Sequence, residues 1–408
     1  MSALAAQLEY LEASSPFYGA RIQGRRELAG IPFTTKQELR ESQRSSPPFG
    51  EHLCARREDL VRLHVTSGTT GEPVAIGLTR KDHEANSRVG GEAFRIAGLR
   101  PEDTVAHCLN YALYAGGIAD HMAIEASGAT VVPVGVGQSQ RLLDLIPRLG
   151  ISAIFGTLSF PAYLAARARE AGLDPAGLGL RHIVTAGEPG AGLSAVRAEI
   201  ESQWRVSVTD TFGMSDVWST MAGECGEGEG LHLTTEAHAV LEVVDPGTGD
   251  VLPLEDGVAG ELVWTHLERE ASPLLRYRSS DLATVHTAPC ACGRTTPRIR
   301  IGGRRDDMLR VQAVNVYPQA IGELLGGARH AIVADGDPIV PPLHVYVERP
   351  GDRDADRLRA ALRTDIAVHP LAPGTLPVAE HKTVRVFRTA RGDALPDAIR
   401  RHREGQQP

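Results

Sequence analysis

Aromatic side chains are scarce in this chain of 408 residues, at 5%, and only five cysteines are present. An odd handful of thiols in so long a chain builds no disulfide framework. Long hydrophobic runs are missing too: none approaches the ~20 residues that span a bilayer. The N-terminal MSALAAQLEYLEASSPFYGARIQ lacks the basic start and continuous apolar core of a secretory signal, and reads as a helix. These absences argue for a cytoplasmic protein with no membrane partner. Positive charge is in deficit, with 43 Lys and Arg against 51 Asp and Glu for a net charge of -8. Without a basic field, nucleic acid is excluded as the main partner, and any small anion has to be held by a local site.

What is present is ordinary globular composition, 42% hydrophobic and 23% charged. At roughly 100 to 200 residues per domain, the length predicts two or three packed units. Residues 1–60 read as helical and irregular, and the apolar run 60–65 reads as a buried strand leading into a Gly-rich loop. From Asp82 to about Leu180, helical spacings alternate with β-branched runs such as Ala129-Thr-Val-Val-Pro-Val and Ile151-Ser-Ala-Ile-Phe, the pattern of stacked βα units. Beyond Leu231 the helices thin out. Val240-Leu-Glu-Val-Val-Asp-Pro-Gly-Thr-Gly-Asp reads as a strand entering a turn, with Gly260-Glu-Leu-Val-Trp-Thr as its partner. After Gly302-Gly303 a charged stretch opens a last segment long enough for a small domain. The expected fold is α/β: a large N-terminal domain of mixed sheets and helices over 1–303, and a small mobile α+β domain over 304–408. No internal repeat interrupts this layout.

The segment Thr66-Ser-Gly-Thr-Thr-Gly-Glu-Pro packs hydroxyls and glycines behind the first strand. Glycines bring backbone N–H groups close and Ser and Thr hydroxyls add donors, so the loop can cradle a polyphosphate; the same composition also suits a plain turn. Its wording resembles the phosphate loop of the adenylate-forming superfamily of acyl-CoA synthetases. Four further matches follow in the family's order: Ala186-Gly-Glu-Pro, Asp210-Thr-Phe-Gly-Met-Ser-Asp, Arg276-Tyr-Arg-Ser-Ser-Asp-Leu, and Gly303-Arg-Arg-Asp-Asp-Met-Leu leading to Val314-Asn-Val-Tyr-Pro. Pro32-Phe-Thr-Thr-Lys and Tyr111-Ala-Leu-Tyr-Ala-Gly-Gly resemble the phenylacetate-CoA ligase branch.

The resemblance implies ATP-dependent formation of an acyl-adenylate, a reaction governed by positioning and charge neutralisation. Thr66, Ser67, Gly68, Thr69, Thr70 and Gly71 would hold the β- and γ-phosphates, and Ala186, Gly187, Glu188, Pro189 and Phe212 would enclose adenine. Asp281 would accept hydrogen bonds from the ribose hydroxyls. Asp210, Gly213 and Arg304 complete the nucleotide set. Asp216 stands where the family has Glu near Mg²⁺, one methylene shorter. Lys382, in Glu380-His-Lys-Thr-Val-Arg-Val, takes the position of the family's catalytic lysine with His381 replacing a glycine. The small domain would pivot near 304–307 between half-reactions. The family's Arg-Gly-Val-Asn is Gln312-Ala313-Val314-Asn315 here, and a methyl at that close approach would narrow a pantetheine passage.

The carboxylic acid is expected to be aromatic and to sit near Tyr111, Tyr114, Gly116, Gly117 and Phe160 in a mainly apolar pocket, although each of these aromatics is equally suited to plain core. Its acyl group would pass to CoA, or, on the strength of Ala313, to a carrier-protein thiol or an amine. A third reading is a zinc-stapled nucleotide-binding protein without catalysis. A homodimer is compatible with all three.

Three of the cysteines cluster. Cys225 and His232 are separated by six residues, and Cys290-Ala-Cys292-Gly-Arg supplies two more sulfurs. Three thiolates and an imidazole make a closed tetrahedral Zn²⁺ site of the structural type, stapling a β-rich part at about 222–300. His238 and His266 are alternative ligands to His232, and three unconnected thiols are the bland alternative; Cys54 and Cys108 are read as buried or incidental.

Overall fold

The computed structural model describes residues 2–66, 72–188, 194–376, 384–389, 395–396 and 399. The chain divides into two compact units: 1–156, 178–187 and 209–301 form the first, and 157–177, 188–208 and 302–408 the second.

The helices of the first unit are α1 (Ala3–Ser14), α2 (Pro16–Ile22), α3 (Lys36–Ser45), α4 (Arg80–Ile96), α5 (Ala115–Ser127) and α6 (Ser139–Leu149). Their boundaries follow from local chemistry. Thr35 with Glu38 and Thr79 with Asp82 form capping boxes that satisfy the first amides of α3 and α4, and Gly128, at φ +103°, ends α5.

The first strands are β1 (Arg62–Val65) and β2 (Ala75–Leu78), an antiparallel pair on either side of the Gly-rich loop. The buried strand expected over 60–65 is not what forms. Val61 and Leu63 are 48% and 52% exposed, because β1 belongs to a two-stranded sheet and the alternation turns these two side chains outward.

A twelve-stranded sheet follows, built from β3 (Thr104–His107), β4 (Thr130–Pro133), β5 (Ala153–Thr157), β6 (His182–Ala186), β7 (Ser207–Met214), β8 (Trp218–Glu224), β9 (Leu231–Leu233), β10 (Ala239–Val244), β11 (Val251–Leu252), β12 (Val258–His266), β13 (Tyr277–His286) and β14 (Arg298–Arg304). Its order is β11-β10-β12-β13-β14-β9-β8-β7-β6-β5-β3-β4. The βα end is parallel at β4-β3-β5, and the β-rich end is antiparallel. As read from sequence, β10 pairs with β12, with Val240 opposite Thr265. Trp218, Trp264, Tyr277 and Met221 anchor one buried cluster, and Phe94, Phe155 and Ile124 another.

In the second unit, α7 (Phe160–Glu170) and α8 (Ser194–Trp204) stay together through the Trp204 indole, which donates to the Pro161 carbonyl at 3.0 Å. Sequence reasoning put both helices in the N-terminal domain; their packing groups them with the C-terminal residues. Those residues form a hairpin of β15 (Leu309–Val311) and β16 (Val314–Val316), then α9 (Pro318–Leu324), β17 (His330–Asp335), β18 (Leu343–Glu348), α10 (Asp354–Leu362), β19 (Ile366–Leu371) and β20 (Val386–Thr389). The sheet order is β19-β18-β17-β20, over a core that includes Leu309, Ile332, Val345 and Leu358.

Candidate active site

In the first unit, two motifs remote in sequence converge. Thr34 lies alongside β13: its N–H donates to the Arg276 carbonyl and its carbonyl accepts from the Arg278 N–H, both at 2.9 Å. Phe33 packs under the Arg276 guanidinium, 4.1 Å from the ring centroid, and Glu242 neutralises Arg276 at 2.8 Å. With Thr35 capping α3, Lys36 falls in the first helical turn, and its Nζ reaches Asp216 Oδ2 at 3.3 Å. Asp216 is buried at 8% exposure, and its other oxygen, Oδ1, has no hydrogen-bond partner among the described residues. An ionised carboxylate with a buried open oxygen is a donor suited to a hard cation. The turn that carries it demands Gly213, since a Cβ there would stand 1.9 Å from the Ser219 carbonyl oxygen. Sequence reasoning quoted Lys36 only as part of a motif; the ion pair gives it a place in the site.

Thr66 stands at the start of the Gly-rich segment, with its N–H donating to the Val74 carbonyl and its Oγ1 accepting from the Val74 N–H, each at 3.0 Å. Ser67, Gly68, Thr69, Thr70, Gly71, Pro189 and Lys382 lie outside the described residues. Ala186 ends β6 and Gly187 turns the chain at φ +76°, a conformation that favours glycine. Asp210 on β7 accepts from the Thr185 hydroxyl at 3.0 Å, and Phe212 packs half-buried against the Trp218 cluster. Asp281 is buried on the inner face of β13, where burial alternates residue by residue. Its signal in the sequence is its place in the Arg276-Tyr-Arg-Ser-Ser-Asp motif.

Of the residues assigned to the acid, Tyr111, Tyr114, Gly116 and Gly117 lie at or just before the N-terminal turn of α5, and Phe160 lies in the second unit. Gly117 is required, because a Cβ would lie 2.4 Å from the Asn110 carbonyl oxygen, whereas a Cβ at Gly116 would meet Asp120 Oδ2 and Leu109 Cδ1 at the ordinary contact distances of 3.5 and 3.6 Å. Tyr114 is 37% exposed. Tyr111 bonds His121 Nδ1 through its hydroxyl at 2.9 Å, and its ring lies 4.8 Å from that of His107. Burial pushes His107 down to about 4, leaving it neutral, and burial together with Cys108, Glu125 and Asp120 pushes the Tyr111 phenol up. Asp120, which sequence reasoning passed over, is 2% exposed and accepts from the Thr220 hydroxyl at 2.9 Å. Its only sequence signal is an acid in the run Gly116-Gly-Ile-Ala-Asp.

At the β-rich end of the sheet, Cys225 follows β8, His232 lies in β9, and Cys290 and Cys292 occupy the turn between β13 and β14. Pairing of β8 with β9 and of β9 with β14 brings the four together, their donor atoms all within 4.8 Å of one another. Cys225 and Cys290 sulfurs are 3.7 Å apart, and Cys292 Sγ is 3.4 Å from His232 Nε2. Around a tetrahedral zinc, sulfur pairs fall roughly 3.8 Å apart and sulfur–nitrogen pairs roughly 3.5 Å apart, so the set fits. Thr296 holds His232 Nδ1 at 3.0 Å and orients Nε2 to the sulfurs. The alternatives are otherwise engaged: His238 pairs with Glu268, and His266 accepts from the Leu274 N–H at 2.9 Å.

In the second unit, Glu188 is buried and accepts from the Ser159 N–H at 2.7 Å, next to the buried Phe160. Arg304 grips Asp306 with two bonds of 2.8 Å in a half-exposed pair. Gln312 and Ala313 form the exposed tip of the β15–β16 hairpin, with Gln312 at φ +50°.

A family model described as AMP-binding enzyme matches residues 20–266. The chain is 36% identical over 343 residues to the phenylacetate-coenzyme A ligase of Thermus thermophilus, covering 83% of this chain and 73% of that protein. It is 34% identical over 340 residues to the Escherichia coli protein of the same name, again covering 83% and 73%. Among solved structures, a 2-hydroxyisobutyryl-CoA ligase in complex with R3-HIB-AMP has a TM-score of 0.85 at 28% identity, over 99% of this chain and 90% of that one. The same ligase in complex with 2-HIB-AMP and CoA has a TM-score of 0.70 at 29% identity, over 99% and 91%.

Proposed function

This chain belongs to the AMP-binding enzyme family, and from that premise we propose that it activates an aromatic carboxylic acid and passes the acyl group to CoA. It is an AMP-forming acid–thiol ligase. The acid's carboxylate attacks the α-phosphorus of ATP and pyrophosphate leaves; the CoA thiolate then attacks the acyl carbon and AMP leaves. The observation that carries the reading is the pairing of Lys36 with the buried Asp216, which joins two of the family's motifs.

In the first step, negative charge builds on phosphate oxygens, and fixed donors stabilise it without reorganisation. Residues 66–71 supply amide and hydroxyl donors to the β- and γ-phosphates. Lys382 supplies a compact cation at the α-phosphate. Asp216, with its open Oδ1, is the protein's donor for Mg²⁺, which when bound offsets phosphate charge. Lys36 holds the other oxygen of Asp216 and fixes its rotamer. Asp281 takes the ribose hydroxyls, and 186–189 with Phe212 flank adenine. Cys225, His232, Cys290 and Cys292 would hold a Zn²⁺ ion of the structural type. Tyr111, its ring set against neutral His107, offers the acid an aromatic wall.

The test is pyrophosphate release with ATP and Mg²⁺ across aromatic, heteroaromatic and aliphatic acids, each with and without CoA. Release with an aromatic acid that speeds up when CoA is added is expected, with Lys382→Ala abolishing it. Release indifferent to CoA redirects the acyl group to a carrier thiol or an amine. Silence across the panel removes the ligase reading.

A further inference from the structure

Asp120 is a carboxyl in the interior whose partners are all neutral. It hangs from α5 onto β8, the strand that begins two residues after Asp216. Thr220 donates to its Oδ1 at 2.9 Å. Ser219, which also hydrogen-bonds the carboxyl, is in turn held by Asn86 of α4, Nδ2 to Oγ and N–H to Oδ1, each at 3.4 Å. No lysine, arginine or histidine pairs with it among the described residues. A buried carboxyl costs several kcal/mol unless something in the folded or liganded state uses it.

Gly116, one helical turn back, is half-buried rather than sealed. The position a Cβ would take there is 3.5 Å from Asp120 Oδ2 and 3.6 Å from Leu109 Cδ1. That is ordinary contact distance, so a ligand atom resting over Gly116 touches the carboxyl and an apolar wall at once. Its neighbour Gly117 has no such room. Tyr111 senses the same group, since the Asp120 charge contributes to the rise of its phenol.

The geometry points to Asp120 as the residue that selects the acid: its carboxyl hydrogen-bonds a hydroxyl or amino group carried on the body of the substrate. The substrate class is therefore a hydroxy- or amino-substituted carboxylic acid rather than a bare hydrocarbon acid. The inference rests on the ligase reading and on the acid lying at the start of α5. Burial raises the Asp120 carboxyl to about 7, so near neutral pH it is present both as an acceptor and as a donor, and either substituent finds a partner. A site built to hydrogen-bond a substituent discriminates strongly against the analogue lacking it, because its own polar group is then left without a partner.

The test measures kcat/KM for thioester formation by the full chain with matched acids: benzoate against its hydroxy and amino derivatives, and phenylacetate against hydroxyphenylacetate. The wild-type protein should favour a substituted member at least tenfold, and the hydroxy and amino arms tell which group is read. Asp120→Leu should bring that ratio to one or below, while Asp120→Asn, which keeps shape and hydrogen bonding, should retain part of it. A wild-type ratio near one, or a ratio unchanged in the Leu and Asn variants, overturns the inference. In both cases pyrophosphate release with any acid leaves the ligase reading standing; no release from the wild type with any acid overturns both.

Discussion

Replacing Asp120 by Asn removes a charge and leaves the shape. Burial is the largest influence on this carboxyl and raises it from 3.8 to about 7, against the opposing hydrogen bonds of Ser219 and Thr220. The folded chain therefore holds a proton that the unfolded chain releases near pH 4. Stability contributed by the neutral carboxyl is intact below that point, declines as pH rises, and is gone once pH passes about 7. A rise of roughly three pH units at about 1.4 kcal/mol each sets the loss at about 4 kcal/mol, less whatever water entering beside Gly116 recovers. Asn carries no such penalty. Urea unfolding of both proteins at half-unit steps from pH 4 to pH 8, followed by circular dichroism through the transition of the first unit, reads the difference directly. The stability of the Asn variant minus that of the wild type should climb by several kcal/mol across the series. A flat difference, or one that falls with pH, refutes the account of Asp120 as a buried group without a countercharge.

Removal of metal by a strong chelator should release about one zinc per chain and lower the thermal midpoint by several degrees, and Cys290→Ser should do the same; metal analysis with calorimetry checks both. Lys36→Met should cut kcat/KM for pyrophosphate release ten- to a hundredfold by freeing Asp216, as steady-state kinetics will show; wild-type values in the variant would remove Lys36 from the site. Gly213→Ala forces a methyl against the Ser219 carbonyl 1.9 Å away and should cost about 1–3 kcal/mol or more in denaturant unfolding.

The βα half, the β10–β12 pair and the clustering of Cys225, His232, Cys290 and Cys292 were legible because each rests on a local pattern or on chemistry that ties residue type to task. His232 is preferred to His238 and His266 in the sequence for its nearness to Cys225, and strand register sets Gly223 and Arg298 opposite it. Lys36 and Asp216 are 180 residues apart, a separation across which no periodicity speaks. Asp120 escaped notice because a carboxylate in a helical run ordinarily faces water, and only the packing of α4 and α5 against β8 buries it. The strand over 60–65 misled because its apolar residues were counted without their alternation, which sends Leu63 outward.

The three tryptophans give the molecule an optical instrument of its own. Trp204, Trp218 and Trp264 are all sealed from solvent, one in the second unit and two in the first, so their emission should be blue and structured by their surroundings. Trp218 stands two residues past Asp216, edge-on to the His266 ring at 4.4 Å and 5.4 Å from the Arg269 guanidinium, a charge whose position sets the emission wavelength of the indole. A displacement of the Asp216 turn relative to Arg269 should therefore shift the emission of a native fluorophore, and arrival of nucleotide can be followed in stopped flow without a label.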